Sequence, residues 1–254
     1  MEIIDTHVHL TSEKYDEHAL AQIIREATAK GVTGILTLGT DIADSWSACK
    51  ISQKYENVYF GVGIHPHEAK SYTQDCVTQA RELLSQPKCV AVGEIGLDYY
   101  YEHSDREIQR VVFIKFLELA QEYQLPVSIH SRNAEQEVLQ IIRAFADVKI
   151  VCHSYTGSLE ALHKMLELGV YFSINGMVTF KKNENIVQLI KHIPLEKILL
   201  ETDGPYLAPV PFRGGICEPK HLVEIGCKVA EILEMDVETL TRITTENARK
   251  IFRL

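Results

Sequence analysis

The sequence contains no apolar run that approaches the roughly 20 residues needed to cross a bilayer, so no membrane-spanning helix is expected. Its six cysteines (Cys49, Cys76, Cys89, Cys152, Cys217, Cys227) never come closer than ten residues to one another. That spacing excludes a C-x-x-C metal or redox pair and leaves free, mostly buried thiols. Basic residues are in deficit, 26 Lys and Arg against 35 Asp and Glu, for a net charge of −9. A broad basic surface that grips long duplex DNA is therefore excluded. A nucleic-acid substrate is not, because bound cations can neutralise phosphates locally. The first residues, Met1-Glu-Ile-Ile-Asp-Thr-His, carry acid where a signal peptide would carry base, and a cytoplasmic location without a membrane partner is expected. Low-complexity stretches, short repeats and Gly/Ser linkers are missing too. One domain over residues 1–254 is the simplest expectation, and a monomer with it.

What is present is an alternation of short β-rich runs with longer amphipathic stretches, the signature of βα units. The runs are Glu2–Asp5, Gly34–Leu38, Tyr59–Ile64, Val90–Glu94, Val127–His130, Lys149–His153, Tyr171–Ile174 and Ile198–Thr202. Helical spacing of apolar residues covers Glu107–Tyr123, Ala134–Phe145, Ser158–Leu168, Lys220–Leu233 and Val237–Phe252. A chain of 254 residues suits one (β/α)8 TIM barrel, whose usual length is about 250. An open doubly wound sheet would give the same alternation, so the polar residues decide.

In a (β/α)8 barrel the active site lies at the carboxyl ends of the strands and draws on several of them. Here metal-binding residue types follow the β-rich runs one after another. The first leads into His7-Val8-His9, an i, i+2 pair that puts both imidazoles on one face of an extended chain. The third leads into His65-Pro66-His67. Glu94, His130 and His153 end the fourth, fifth and sixth, and Asp203 follows the eighth. Any one of these could be an ordinary histidine or carboxylate; the recurrence at one end of successive strands points to a metal site. Imidazole and carboxylate suit Zn²⁺, Mn²⁺ or Mg²⁺. Two divalent metal ions are expected, one on His7, His9, Glu94 and Asp203, the other on Glu94, His130 and His153. Glu94 is the shared anion and takes part in catalysis by holding both, and Asp203 is the expected general base.

These residues sit in runs that resemble the TatD family of metal-dependent deoxyribonucleases, a branch of the amidohydrolase-like barrels. The resemblance runs through Ile4-Asp5-Thr6-His7-Val8-His9-Leu10, Gly63-Ile64-His65-Pro66-His67, Gly93-Glu94-Ile95-Gly96-Leu97-Asp98, Val127-Ser128-Ile129-His130-Ser131-Arg132, Cys152-His153-Ser154 and Glu201-Thr202-Asp203-Gly204-Pro205-Tyr206-Leu207. It covers essentially the whole chain. It implies hydrolysis of DNA phosphodiester bonds, often as a 3′-to-5′ exonuclease on single strands, and the six ligands named above. It also implies that His65 lies behind the ligands or contacts substrate. Arg132, beside His130, could hold a phosphate. Two departures stand out: Cys217 precedes Glu218-Pro219 where the family often has Asn, and Gly204 follows Asp203 where Ser is common.

His67 reads as a loop residue. Tyr99, Tyr100 and Tyr101 either pack on the barrel rim or offer a stacking platform to bases. His18, His103, His163, His192 and His221 read as background. The acidic surface favours single-stranded or end-frayed DNA over duplex interiors. The rival readings are an amidohydrolase or esterase, an aminoacyl-tRNA deacylase on the same metal site, a PHP-type phosphoesterase, and a binding protein that does little chemistry.

Overall fold

A computed structural model describes residues 2–16 and 19–254; His18 lies outside them. Eight strands alternate with helices along the chain: β1 (Ile3–Val8), β2 (Val32–Leu38), β3 (Val58–Val62), β4 (Cys89–Asp98), β5 (Val127–Arg132), β6 (Ile150–His153), β7 (Tyr171–Ile174) and β8 (Ile198–Leu200). The helices between and after them are α1 (Leu20–Ala29), α2 (Ile42–Lys54), α3 (Gln74–Leu84), α4 (Arg106–Tyr123), α5 (Glu135–Ile142), α6 (Leu159–Glu167), α7 (Glu184–Lys191), α8 (Leu222–Ile232) and α9 (Val237–Phe252). The strands follow one another in sheet order β1 to β8, and the described pairings are parallel. This is the (β/α)8 barrel that the sequence suggests. No helix among the described residues is long and apolar enough to cross a membrane.

The chain divides into two units, Met1–Thr37 with Phe172–Leu254, and Leu38–Tyr171. In the first, β8 returns to β1: the Asp203 amide donates to the His7 carbonyl at 2.9 Å and the His9 amide to the Gly204 carbonyl at 2.8 Å. Parallel pairing thus continues past the end of β8, through an isolated bridge between Val8 and Gly204. Ile3, Val8, Phe172 and Leu199 are buried here, with α8 and α9 packed on β1 and β8. Helix α9 starts where Asp236 accepts the Thr239 amide at 2.8 Å, an N-cap that supplies a partner for a first-turn N–H.

In the second unit β3 to β6 run side by side, with Phe60, Val92, Ile129 and Val151 buried. Helix α4 lays Val112, Phe113, Phe116 and Leu117 against β4. Asp105 caps it at the start by accepting the Glu107 amide. It ends at Gln124, in the left-handed region at φ 53°, ahead of Pro126, which cannot continue a helix.

The fourth strand departs most from the sequence reading. The expectation ended it at Glu94; it runs on to Asp98, and Ile95–Asp98 pair with Ile129–Arg132. The register shifts between Val92 and Ile95, and this irregular step holds Glu94. Gly96 makes the continuation possible. Its φ is +140°, and a Cβ built there would lie 2.0 Å from the His130 carbonyl oxygen. Only glycine lets β4 approach β5 that closely.

Candidate metal centre

In the first unit, His7 and His9 project from β1 and the residue beyond it, as the i, i+2 spacing predicts. Their Nε2 atoms are 3.3 Å apart. An Asp203 carboxylate oxygen lies 3.8 Å from the His7 Nε2 and 3.7 Å from the His9 Nε2. Asp203 has φ 57°, a left-handed conformation that turns the chain as it leaves β8. Behind the set sits Asp5, wholly buried. It accepts the Thr202 amide at 2.9 Å, the Thr202 hydroxyl at 2.6 Å and, more weakly, the His7 amide at 3.4 Å. Burial pushes its carboxyl up to about 8, against the lowering pull of the Thr202 and His7 hydrogen bonds. Asp5 thus ties the start of β1 to the residue before Asp203, a role the sequence reading did not assign.

Cys217 faces the interior. It is buried, its Sγ 3.7 Å from the Thr202 carbonyl, and its own carbonyl accepts the Tyr15 hydroxyl at 2.5 Å. The departure from the family's Asn therefore falls behind the Asp203 turn. No cysteine is in a disulfide, as expected, but only Cys49, Cys152 and Cys217 are buried; Cys76 and Cys89 are partly exposed and Cys227 is exposed.

In the second unit Glu94, His130 and His153 come together. One Glu94 oxygen lies 2.7 Å from the His153 Nε2 and 3.2 Å from the His130 Nδ1, and those two nitrogens are 3.4 Å apart. The His65 Nε2 is 3.5 Å from the same oxygen. The His65 Nδ1 accepts the His67 amide at 3.1 Å, so a neutral His65 carries its proton on Nε2.

Asp98, missed from sequence, completes this set. It is wholly buried. One oxygen meets the His130 Nε2 at 2.9 Å and the His67 Nε2 at 3.0 Å; the other accepts the Tyr100 and Tyr101 amides, each at 2.9 Å. Burial alone would raise the Asp98 carboxyl. The hydrogen bonds from His130, His67 and the Tyr101 amide outweigh it and hold the group well below the usual carboxylate range. Burial alone would likewise depress the His130 imidazole, and its bonds to Asp98 and Glu94 raise it instead. His67, expected as a plain loop residue, is a partner of Asp98. Arg132 stands exposed at the end of β5, its guanidinium over the rings of Tyr100 and Tyr101.

The donor sets fit divalent cations. Ligands 2.0–2.1 Å from a tetrahedral zinc are separated by about 3.3–3.4 Å. The separations in the first set are 3.3, 3.7 and 3.8 Å, and in the second 2.7, 3.2 and 3.4 Å. Both sets combine imidazole nitrogen with carboxylate oxygen, a mixture that zinc and manganese accept.

The family model described as TatD related DNase matches residues 4–253. The chain belongs to that family. A Bacillus subtilis relative, an uncharacterised metal-dependent hydrolase, is 36% identical over 99% of both chains. A Citrobacter koseri relative named 3′-5′ ssDNA/RNA exonuclease TatD is 32% identical over 98% of both. Among solved structures, a TatD homologue from Escherichia coli superimposes with a TM-score of 0.93 at 25% identity, covering 99% of this chain and 98% of that one. As a TatD-family protein the chain is a metal-dependent hydrolase, and its clustered His, Glu and Asp side chains are able to bind metal.

Proposed function

We propose that this protein hydrolyses phosphodiester bonds of single-stranded DNA from the 3′ end, with one divalent cation on the His7–His9–Asp203 set and a second on the Glu94–His130–His153 set. The observation that carries the reading is the placing of both ligand sets at the carboxyl ends of barrel strands, the face on which barrel enzymes build active sites. The nucleotide substrate is supported by the family description and by the Citrobacter relative.

Bound cations supply an activated water near neutral pH and charge to set against the phosphate oxygens. The protein does the rest. Asp203 accepts the proton of the attacking water, and its left-handed backbone turn fixes where that carboxylate points. His7 and His9, held on one extended strand, keep their Nε2 atoms in register with it. On the other set, Asp98 fixes the ring of His130 through Nε2 and leaves Nδ1 beside Glu94. His65 stands with its Nε2 3.5 Å from the Glu94 carboxylate. The net acidic charge leaves few basic groups to grip a duplex, which favours ends and short single strands.

The test uses metal-stripped protein and single-stranded DNA labelled at either end, with Mg²⁺, Mn²⁺ or Zn²⁺ added back separately. Shortening from the 3′ end that needs metal and is lost in Asp203→Asn, with its metal content measured, is the expected result. Folded, metal-loaded protein that leaves the strand intact, or that instead cleaves an amide, ester or aminoacyl-tRNA, would overturn the nuclease reading and leave the metal sets standing.

A further inference from the structure

Arg132 differs from several other arginines of the chain. Arg81, Arg106 and Arg110 each lie against glutamate carboxylates. Among the described residues no carboxylate lies in ion-pair range of Arg132. Its guanidinium sits 4.2 Å from the Tyr100 ring centroid and 4.7 Å from that of Tyr101. Both tyrosines are large apolar surfaces left in water, 57% and 51% exposed. Stacking occupies the flat face of a guanidinium and leaves its in-plane N–H edges free for an anion. In a chain with an acidic excess of nine charges, an arginine held without a counter-ion marks a place where the anion comes from outside.

This group is fixed relative to the metal ligands of the same unit. Arg132 lies two residues beyond His130 on β5, on the same face and about 7 Å along the strand. The amides of Tyr100 and Tyr101 hang from one oxygen of Asp98, whose other oxygen holds the His130 ring. Tyr101 stacks on His103 with an interplanar angle of 7° and meets His67 edge-on, so its ring is braced on two sides.

We infer that Arg132, Tyr100 and Tyr101 form a clamp for the nucleotide next to the one being cut, the guanidinium taking its phosphate and a tyrosine ring taking its unpaired base. The inference rests on the phosphodiester reading above. A base inside a duplex has both faces covered by neighbours and cannot stack on a tyrosine, whereas every unpaired base can. The clamp therefore selects single strands through one unneutralised charge and two rings, without the basic surface that this sequence lacks.

Equilibrium binding of a fluorescein-labelled, hydrolysis-resistant phosphorothioate single strand tests it, over a range of salt, with the blunt duplex of the same sequence beside it and circular dichroism to confirm folding. Tyr100→Ala with Tyr101→Ala should weaken single-strand binding by about 5- to 150-fold, and Tyr100→Phe with Tyr101→Phe should restore it. Arg132→Ala should lower the slope of log affinity against log salt by about 0.7, the loss of one single-strand phosphate contact, and Arg132→Lys should keep the slope. Weak duplex binding that the tyrosine variants do not change completes the expected pattern. Variants that bind the single strand within about twofold of the unaltered protein, or an unaltered protein that binds none, would overturn the clamp. Tight, clamp-dependent binding in a protein that cuts no strand would overturn the nuclease reading and leave the clamp in place as a single-strand site.

Discussion

Replacing Asp98 by Asn tests how a carboxylate outside the ligand sets controls one of them. Asp98 is wholly buried and makes four hydrogen bonds at 2.9–3.0 Å, two from imidazoles and two from amides. An asparagine keeps one accepting oxygen and turns an NH₂ toward whichever pair it abandons. If the backbone pair keeps the oxygen, His130 and His67 lose their acceptor. A hydrogen bond to a charged group contributes about 1.5–3 kcal/mol, which converts to about 10- to 150-fold in an equilibrium. Partners that orient metal-ligating histidines typically contribute 10- to 100-fold in metal affinity, and the two figures agree. The assay is competition for Zn²⁺ or Mn²⁺ between a chromogenic chelator and metal-stripped protein, for the unaltered chain, Asp98→Asn and His130→Ala, with thermal melting alongside. One site should weaken by about 10- to 100-fold in Asp98→Asn. Affinity within about twofold of the unaltered chain, while His130→Ala loses that site outright, would refute the reasoning.

Three further outcomes follow from the same structure. Gly96→Ala combines a φ of +140° with a Cβ 2.0 Å from the His130 carbonyl, so urea denaturation should show a loss above about 2 kcal/mol, and no change would contradict the close approach of β4 to β5. Phe172→Ala removes a wholly buried ring from β7 and should cost about 3–5 kcal/mol in the same measurement. Arg81→Ala breaks a bidentate pair with Glu122 whose partners are nearly half exposed, and solvent screening should hold the loss below about 1 kcal/mol.

Much of this was legible in the sequence because the proposed ligands sit at ends of local patterns. His7 and His9 share a strand face by spacing alone, and Glu94, His130, His153 and Asp203 each close a β-rich run. The fourth strand was read short because Gly93-Glu94-Ile95-Gly96 interrupts both the alternation and the β propensity that mark a strand. The residue beyond, Asp98, earned its role from a partner 32 positions away, and no local spacing reports such a pairing. Asp5 escaped for the same reason: its partner Thr202 lies 197 positions along the chain. His67 reads as a loop residue because its contact with Asp98, 31 positions away, leaves no mark in the local sequence. The Arg132 stack could be suspected from Tyr99-Tyr100-Tyr101 in the sequence, but only pairing of Asp98 with Arg132 across β4 and β5 brings rings and guanidinium together.

The central claim is that cleavage of a single strand needs two cations, one on His7, His9 and Asp203 and one on Glu94, His130 and His153. Counting bound Mn²⁺ per chain while following cleavage of a 5′-labelled oligonucleotide tests it most directly, in the unaltered protein, in His7→Ala with His9→Ala, and in His130→Ala with His153→Ala. The account predicts two ions in the unaltered protein, one in each double variant, and cleavage only with both sets filled. Full cleavage by a variant that has lost one set, or an intact strand beside protein carrying two ions, would contradict it.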